Sequence, residues 1–363
     1  MRILCAMSGG VDSSVAAALL VEAGHEVIGM TMRLYDASDH GAASAGGRCC
    51  SPSEIYMARD VCDRLGIPHY VVDESERFWD AVVVPFGKDY AEGRTPNPCT
   101  RCNQHVKFPP LLERAAALGA ERLATGHYAR IEGGSLFRGV DPTKDQSYFL
   151  FSMGRENLDR VLFPLGGMTK EDVRAKARAL GLPNADAPDS QELCFVPAGD
   201  HAAFIERRAE DLGVDPDRLA SGPIVDVAGR RVGTHRGIHR VTVGQRRGLD
   251  VAGTRRRYVL SVVPDQRAVV VGDAEDLAVV EVEVAELCDL GLPPSPFRAD
   301  VQIRHRSKAA PATVHLAGEH ARVVFDTPAQ AVAPGQAAVF YVGARVVGGG
   351  WIARATGRVS ATA

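Results

Sequence analysis

A glycine-rich loop close to the start of the chain has the residue types of a phosphate-binding site. The apolar run at residues 2–6 predicts a buried strand that leads into Ser8-Gly9-Gly10-Val11-Asp12-Ser13-Ser14, where a helix is expected to begin. Glycines let the backbone come close to an anion, and the N–H groups and positive dipole of a helix N-terminus attract phosphate. The alternative is an ordinary strand-to-helix turn capped by the side chain of Asp12 or Ser13.

The loop differs from two common nucleotide-binding motifs. It lacks the Gly-Lys-Ser/Thr of a Walker A loop and the Gly-x-Gly-x-x-Gly of a dinucleotide-binding fold. The sequence therefore disfavours both a P-loop NTPase and a dehydrogenase.

The cysteines leave several kinds of chemistry open. Eight cysteines in 363 residues are too few for a secreted disulfide scaffold. Cys99 and Cys102 could form half of a zinc site, but tetrahedral zinc needs a second pair, and adjacent Cys49-Cys50 is a poor chelate. A redox-active pair is a second alternative, and an iron–sulfur cluster on Cys99, Cys102 and Cys194 with one open iron is a third. The remaining cysteines in apolar patterns are expected to pack in the interior: Cys5, Cys62 and Cys288.

A local basic segment is the strongest sign of a nucleic-acid partner. The net charge of -3 argues against a protein that holds nucleic acid by bulk charge. Residues 230–257 nevertheless hold many arginines with Asp250 as the only acid, and interspersed glycines predict a loop-rich platform suited to RNA phosphates. The arginines are Arg230, Arg231, Arg236, Arg240, Arg246, Arg247, Arg255, Arg256 and Arg257.

The elements that must position these residues change character along the chain. In the first half, strand runs at 2–6, 26–31, 69–72 and 122–125 alternate with helical runs at 13–23, 53–65 and 111–118, which predicts a parallel sheet covered on both faces. Short strand candidates lie at 224–227, 231–233 and 257–263. Alternating runs at 298–306, 312–316, 321–325 and 337–342 predict a small antiparallel barrel or sandwich.

Length and hydropathy limit the architecture and the location. A chain of 363 residues exceeds the usual size of one hydrophobic core, which favours two or three domains. The apolar runs at 3–7 and 15–21 are far shorter than the roughly 20 residues that a membrane-spanning helix needs. We therefore expect a cytoplasmic protein.

Specific strings along the chain carry a family resemblance. Ser8 to Ser13 resembles the PP-loop of the N-type ATP pyrophosphatases, and the segment from Gly93 to Asn103 resembles a signature of the tRNA-specific 2-thiouridylases. The resemblance covers nearly the whole chain. Further matching strings follow in the family's order: Ala124-Thr125-Gly126-His127-Tyr128, Lys144-Asp145-Gln146-Ser147-Tyr148, Asp189-Ser190-Gln191-Glu192-Leu193-Cys194-Phe195, Thr242-Val243-Gly244-Gln245-Arg246-Arg247-Gly248-Leu249 and Pro334-Gly335-Gln336.

This resemblance implies a fold and a reaction. The fold is α/β: a parallel-sheet adenine-nucleotide domain of PP-loop, HUP-like type at 1–204, a small central tRNA-binding domain at 205–270 and a C-terminal antiparallel β-barrel at 271–363. The implied activity is tRNA-uridine 2-sulfurtransferase, which uses ATP and Mg²⁺ on the wobble uridine of the anticodon stem-loop. The implied sulfur source is a partner such as a cysteine desulfurase or a sulfur-relay protein.

The resemblance also implies roles for individual residues. ATP contacts would come from Ala6, Met7, Ser8, Gly9, Gly10, Val11, Asp12, Ser13, Met32 and Gly126. Contacts to the target base would come from Asn97, Pro98 and Cys99, and tRNA contacts from His127, Lys144, Asp145, Gln146, Arg304, His305 and Gln336. The family's two working cysteines map to Cys102 and Cys194. Because Cys194 lies in a loop-like segment and Cys102 follows the proline-stiffened run 95–98, we expect Cys194 to carry a persulfide and Cys102 to resolve it. Cys99 departs from family members that have an aspartate there.

The reaction explains why an adenylating loop and two thiols belong together. The C2 oxygen of uridine is a poor leaving group, and adenylation converts it into AMP. A persulfide then supplies nucleophilic sulfur, and a second thiol accepts the remaining bond as a disulfide. Two alternatives remain: another PP-loop tRNA-modifying enzyme, such as a lysidine synthase or a cluster-dependent thiolase, and a metal- or cluster-bearing RNA-binding protein with a degenerate loop.

Overall fold

A computed structural model describes residues 1–35, 52–188, 193–196, 199–251 and 256–357. These residues form two compact units. The first comprises residues 1–82, 99–199 and 344–346, and the second comprises 83–98, 200–343 and 347–363. The boundaries predicted at 204 and 270 stay a prediction.

Strands and helices alternate from residue 2 to residue 78 as the sequence pattern indicates, and the later elements before residue 208 come in runs of helices and of strands. The strands are β1 (Arg2–Ala6), β2 (Glu26–Arg33), β3 (His69–Asp73), β4 (Arg122–Ala124), β5 (Ala129–Glu132), β6 (Ser135–Arg138) and β7 (Val161–Leu162). The α-helices are α1 (Val11–Glu22), α2 (Pro52–Leu65), α3 (Ser75–Phe78), α4 (Val84–Ala91), α5 (Pro98–Cys102), α6 (Phe108–Ala117), α7 (Lys170–Ala179) and α8 (His201–Arg207). Two π-helical turns follow α3 and α5, at Trp79–Val83 and Asn103–Lys107.

The first unit is built on a five-stranded parallel sheet in the order β3-β2-β1-β4-β7. The central strand β1 is buried on both faces because helices cover the sheet, and α1 packs against α2 and α7. The chain order reverses between β1 and β4, so the carboxyl end of β1 lies at a crevice where α/β folds bind ligands. The predicted parallel sheet is confirmed.

A β-hairpin leaves this sheet. Strands β5 and β6 pair antiparallel, and Leu136 and Phe137 of β6 pair with Val346 and Arg345. The hairpin follows directly after Gly126 and His127, and it therefore fixes the far end of the segment that carries them.

The second unit contains two β-structures. Strands β8 (Gly222–Asp226), β9 (Arg231–His235), β10 (Tyr258–Val263) and β11 (Ala268–Gly272) form a sheet in the order β10-β11-β8-β9. The others form a closed antiparallel barrel, because β12 pairs with both β15 and β17. Its strands are β12 (Ala278–Asp289), β13 (Phe297–Gln302), β14 (Ala310–Ala317), β15 (His320–Gln330), β16 (Ala337–Val342) and β17 (Arg345–Gly357).

The alternation predicted at 298–306 is confirmed for the apolar positions and for exposed Asp300, and it is wrong for Gln302, Arg304 and Arg306. Ala299, Val301 and Ile303 are buried in the barrel. Gln302 is buried as well, at 5% exposure, and β13 ends there. Its side-chain amide binds the next turn, since Nε2 donates to the carbonyls of Arg304 and His305. The arginines at 304 and 306 therefore lie in that turn and not on a strand face.

No helix within the described ranges combines the length and the apolar character needed to cross a bilayer.

Candidate active site

The glycine-rich loop after β1 is shaped by its own serines. Ser13 Oγ accepts the backbone N–H of Ser8 at 3.1 Å and lies 3.0 Å from the Gly10 carbonyl, to which it donates. Ser14 Oγ donates to the same carbonyl at 3.1 Å. Helix α1 begins at Val11 with Gly10 as its N-cap, and no side chain caps it. The ordinary capped turn is therefore not what forms, and the positive end of α1 stays open to an anion.

Two glycines are required by the geometry of this loop. Gly9 has φ +78°, and a Cβ there would lie 2.4 Å from the carbonyl oxygen of Glu54. Gly126 follows β4, and a Cβ on it would lie 2.8 Å from the backbone nitrogen of Ser13. Backbone thus passes directly beside the start of α1, which only glycine permits.

Asp12 is held by a lysine that sequence reasoning missed. Lys170 Nζ lies 2.7 and 2.9 Å from the two carboxylate oxygens of Asp12, and Tyr128 Oη donates to the same carboxylate at 2.7 Å. The backbone N–H of Lys170 donates to Asp141 at 3.0 Å. The Thr169 capping box at the start of α7 is a visible sequence signal for that helix. Nothing in the sequence reveals that Lys170 reaches Asp12, 158 positions away.

The other predicted nucleotide contacts line the same end of the sheet. Met7 donates its backbone N–H to the carbonyl of Met30 at 2.8 Å, which continues the β1–β2 pairing past Ala6. Met32 lies on β2 at 7% exposure and pairs with Val72. The structure therefore brings Ala6, Met7, Met32 and the loop to one edge of the first unit.

Cys99 and Cys102 lie on the short helix α5. Cys102 is buried, at 6% exposure, whereas the side chain of Cys99 is accessible to solvent. Cys99 is nevertheless closely surrounded by protein, and this desolvation raises the pKa of its thiol, with Lys107 acting in the opposite direction. After Cys102, Asn103 is buried and its Nδ2 donates to the carbonyl of Phe149 at 3.0 Å. This bond anchors the residue directly after helix α5, which carries both thiols.

His127 lies in an aromatic setting close to Lys107. Its ring is 6.0 Å from that of Phe108 and 5.8 Å from that of Phe163, and its Nδ1 is 2.7 Å from Thr125 Oγ1. Desolvation, with a smaller effect from Lys107, lowers the pKa of His127 to about 3. His127 is therefore neutral at physiological pH. The charge of Lys107 thus acts on the pKa of both Cys99 and His127.

The string 144–146 has a mainly structural geometry. Asp145 accepts hydrogen bonds from Arg138, from the backbone of Gly139 and from Ser147. Gln146 Oε1 accepts the backbone N–H of Tyr128 at 3.0 Å. Lys144 is half-buried. The side chains of Asp145 and Gln146 thus fold the chain behind His127.

Cys194 lies in a short described stretch, and its preceding residues 189–192 fall outside the described part of the chain. Cys194 is half-buried, and the ring of its neighbour Phe195 packs edge-on against Phe78 at 5.6 Å. Helix α3, which ends at Phe78, contacts the π-helical turn Asn103–Lys107. The segments that carry Cys194 and Cys102 are thereby linked through α3.

In the second unit, Gln336 holds the proline-rich loop. Its Nε2 donates to the carbonyls of Thr95 at 2.9 Å and Pro96 at 3.1 Å. The backbone N–H of Thr95 donates to the carbonyl of Pro334 at 2.8 Å. Asn97 is buried, at 6% exposure, and Pro98 is buried beside it. Gln336 therefore acts on the loop that leads to Asn97 and Pro98.

Arg304 joins two loops of the second unit. Its Nη2 donates to the carbonyl of Val243 at 2.8 Å, inside the string 242–249. His305 follows in the same turn and is half-buried. The turn that carries Arg304, His305 and Arg306 thus lies against the loop that carries Arg246 and Arg247.

The prediction that the arginines of 230–257 stand almost unopposed is wrong for three of them. Their acids are Asp226, Glu206 and Asp273, which all lie outside the segment. The ion pairs are Arg230–Asp226, Arg240–Glu206 and Arg257–Asp273. Arg236, Arg246, Arg247 and Arg256 are exposed and have no ion-pair partner within the described ranges. Arg255 and Gly253 lie outside the described residues.

Within the residues that the structure describes, no three side chains of histidine, cysteine, aspartate or glutamate gather closely enough to hold a metal ion. Cys49 and Cys50 fall outside those residues.

Comparison with known proteins identifies the family. A family model described as "tRNA methyl transferase HUP domain" matches residues 1–198. A second, "tRNA methyl transferase PRC-barrel domain", matches residues 216–273, and a third, "Aminomethyltransferase beta-barrel domain", matches residues 282–352. A protein of Paramagnetospirillum magneticum named tRNA-specific 2-thiouridylase MnmA is 48% identical, over 97% of this chain and 95% of its own. One of the same name from Geobacter metallireducens is 50% identical, over 97% and 96%.

Among solved structures, one match comes from Methanocaldococcus jannaschii and is described as a predicted subunit of tRNA methyltransferase. It is 18% identical over 60% of this chain and 91% of its own, with a TM-score of 0.33. The two proteins named tRNA-specific 2-thiouridylase match nearly the whole sequence at about half identity. On that basis the chain belongs to the family of tRNA-specific 2-thiouridylases.

Proposed function

We propose that the protein replaces the C2 oxygen of the wobble uridine of tRNA with sulfur, at the expense of ATP. The carrying observation is the open, glycine-lined start of α1 in a chain about half identical to proteins named for this activity. An uncapped helix N-terminus beside two glycines suits a pyrophosphate group. The C2 oxygen of uridine leaves only after it has been adenylated. ATP bound at such a loop would supply the AMP for that step.

The ATP site consists of the loop and the strand ends around it. Ser8 to Ser13 would bind the pyrophosphate, and Gly126 would let β4 pass close to it. Ala6, Met7 and Met32 would contact the adenosine. The Lys170 ammonium neutralises Asp12, so it offsets the repulsion between this carboxylate and the incoming phosphates.

Magnesium would enter with the phosphates. Asp12 is already bound by Lys170 and Tyr128 and is therefore a poor additional ligand. The ion would supply charge neutralisation on the phosphate oxygens.

Sulfur transfer follows adenylation in two steps. The terminal sulfur of a Cys194 persulfide attacks C2, and AMP leaves with the former C2 oxygen. The Cys102 thiolate then attacks Cys194 Sγ, and the electron pair of the broken S–S bond remains on the sulfur that is now part of 2-thiouridine. A Cys102–Cys194 disulfide results, and an external thiol reductant regenerates the enzyme. The persulfide comes from a sulfur-donor protein.

The support for these thiol roles is their different settings. Cys102 is buried on a turn anchored by Asn103, which suits a thiol that acts at one fixed place. Cys194 is half-buried and therefore partly accessible to a donor protein, and we assign it the exchange with that donor. The disulfide needs Cα atoms within about 7 Å of each other.

The remaining predicted residues would serve tRNA binding in two ways. Asn97, Pro98, Cys99 and His127 would lie against the base, with neutral His127 as a hydrogen-bonding group. Lys144, Arg304 and His305 would contact the RNA directly. Asp145, Gln146 and Gln336, whose side chains bind backbone, would shape the loops that make contact.

The direct test is chemical. Purified protein is incubated under anaerobic conditions with ATP, Mg²⁺, unmodified tRNA, a thiol reductant and a cysteine desulfurase supplied with cysteine, and the nucleosides are analysed by mass spectrometry. We expect 2-thiouridine at the wobble position, with one AMP and one pyrophosphate for each. Methylated uridine, or 2-thiouridine formed without ATP, would refute the proposal.

The same experiment separates the cluster-dependent alternative. Iron and acid-labile sulfide are measured in the anaerobically purified protein, and activity is compared before and after chelation. The proposed route predicts full activity without iron. Activity that requires iron would favour a cluster on Cys99, Cys102 and Cys194 instead.

A further inference from the structure

Asn184 contacts the nucleotide loop from outside the loop's own sequence. Its side chain is buried, at 3% exposure, in the turn that follows α7. Its Nδ2 donates to the carbonyl of Gly9 at 2.7 Å and lies 2.9 Å from Ser14 Oγ. Both hydrogens of the amide are therefore spent on the segment that would hold pyrophosphate.

The bond to Gly9 fixes the direction of the next N–H. A trans peptide unit directs its C=O and its N–H to opposite sides. Because Asn184 holds the Gly9 carbonyl on one side, the N–H of Gly10 must point to the other, and it lies 3.4 Å from Ser8 Oγ there. Gly10 is also the N-cap of α1, so this N–H lies at the start of the helix. The amide thus aims a backbone donor at the place where an anion would bind.

The bond to Ser14 completes the same arrangement. Ser14 Oγ donates its proton to the Gly10 carbonyl at 3.1 Å, so its lone pairs are free to accept from Asn184. One side chain therefore supports both peptide units of the Gly9-Gly10 pair, whose lack of side chains gives the loop little stiffness of its own.

The position of Asn184 is itself well defined. Arg174 of α7 donates to the carbonyl of Ala187 at 3.1 Å, and the backbone N–H of Ala187 donates to the carbonyl of Asn184 at 3.1 Å. The turn is therefore closed by its own hydrogen bonds, and the asparagine is presented from a fixed support.

The side-chain oxygen of Asn184 gives independent evidence of a specific role. Oδ1 is buried and has no hydrogen-bond partner among the described residues. A buried carbonyl without a partner destabilises a fold, and an apolar side chain of the same size avoids that cost. Asn184 therefore uses both hydrogens of Nδ2 on the loop while its Oδ1 has no partner among the described residues.

We propose that Asn184 is a positioning residue for ATP, which aligns the Gly9-Gly10 peptide so that the Gly10 N–H faces the pyrophosphate group. This inference rests on the proposed use of ATP by the loop. It makes the turn after α7 part of the nucleotide site, although that turn contains none of the family strings.

The test compares Asn184→Leu with wild type in the full-length chain. Leucine keeps the size, removes both N–H donors and removes the unpartnered oxygen. Kd for ATP, measured by calorimetry without tRNA at a temperature where both proteins are folded, is expected to rise about tenfold. Asn184→Asp, which places an oxygen against the Gly9 carbonyl, is expected to weaken ATP binding further.

A matched control is Asn157→Leu, because Asn157 Nδ2 also donates to a backbone carbonyl of the same unit, that of Met153 at 2.8 Å. Its Kd for ATP should match wild type. A purely structural Asn184 would lower Tm in both Asn184 variants and leave the Kd of the folded protein unchanged, and that result would overturn the inference.

This measurement is independent of the thiolation reaction. A wild-type protein that binds ATP but makes no 2-thiouridine would refute the proposed function. The ratio of Kd values between Asn184→Leu and wild type would still decide the role of Asn184.

Discussion

The nucleotide loop and the arginine-rich segment of the second unit differ in what determines their final geometry. The loop is shaped mainly by short-range bonds, in which Ser13 and Ser14 satisfy backbone groups three to five positions away. The arginines at 230–257 are divided by acids outside the segment, such as Glu206 and Asp273, into ion-paired and unpaired groups. A local motif therefore predicts its own shape, whereas a charged run does not predict its own availability.

The largest expected effect breaks the loop at one of two adjacent glycines. Gly9→Ala places a Cβ 2.4 Å from a carbonyl oxygen at φ +78°, whereas Gly10→Ala meets only Ser8 Oγ at 3.5 Å. Pyrophosphate release with tRNA should fall by at least about 100-fold in Gly9→Ala, and far less in Gly10→Ala. tRNA binding and Tm are measured alongside. Equal activities of the two variants would contradict the geometry assigned to the loop.

The next effect concerns the long-range support of the loop. Lys170→Met removes the cation that binds both oxygens of Asp12, and ATP turnover should fall about 10- to 100-fold. Lys176→Met is the matched control, because Lys176 also links α7 to α1 through Glu22, at 2.8 Å in a more exposed pair. Steady-state kinetics should show the control within twofold of wild type. A similar loss in both variants would reduce Lys170 to helix packing.

The sequence predicted the parts of the molecule that depend on local pattern. The strands at 2–6 and 337–342 and the helix at 53–65 are confirmed to within one residue, because buried strands and amphipathic helices have clear periodicity. Helix α1 begins two residues earlier than predicted, since Gly10 and not a side chain forms its N-cap. The barrel was predicted as barrel or sandwich, and only the pairing of β12 with β17 closes it.

The candidate site was predictable to the same extent. The family strings named the loop and the residues around Cys99 and His127. They could not reveal Lys170 or Asn184, because a hydrogen bond across 158 or 175 positions leaves no local trace. They also could not show that Gln336 binds the backbone of Thr95 and Pro96, since the same residue type serves equally well for RNA contact.

The contrast between unpaired and ion-paired arginines is tested with two triple variants. Arg246, Arg247 and Arg256 changed together to glutamine should reduce the slope of log K against log salt for tRNA binding by about 2 to 3. The paired set Arg230, Arg240 and Arg257, changed in the same way, should reduce it by less than about 1. Binding is measured by titration across a series of salt concentrations. Equal slopes would show that ion pairing does not decide which arginines meet RNA.

The smallest effect is a pH dependence of stability. Because desolvation lowers the pKa of His127 to about 3, the unfolded chain binds more protons at this site between about pH 3 and its ordinary value of 6.5. Stability from this residue is thus complete above pH 6.5 and is lost as the pH falls through that window. His127→Gln should reduce proton uptake on unfolding at pH 5 by up to about one, as seen in Tm against pH. An unchanged pH profile would contradict the buried, neutral state.

The most direct test of the whole account is a single turnover without reductant. Protein loaded with labelled sulfur on Cys194 is mixed with ATP and tRNA, then analysed by peptide mass spectrometry. We predict one AMP, one labelled 2-thiouridine and one Cys102–Cys194 disulfide for each loaded chain, with Cys102→Ser loading but not turning over. Label retained by Cys194→Ser, or labelled 2-thiouridine formed without that disulfide, would contradict the account.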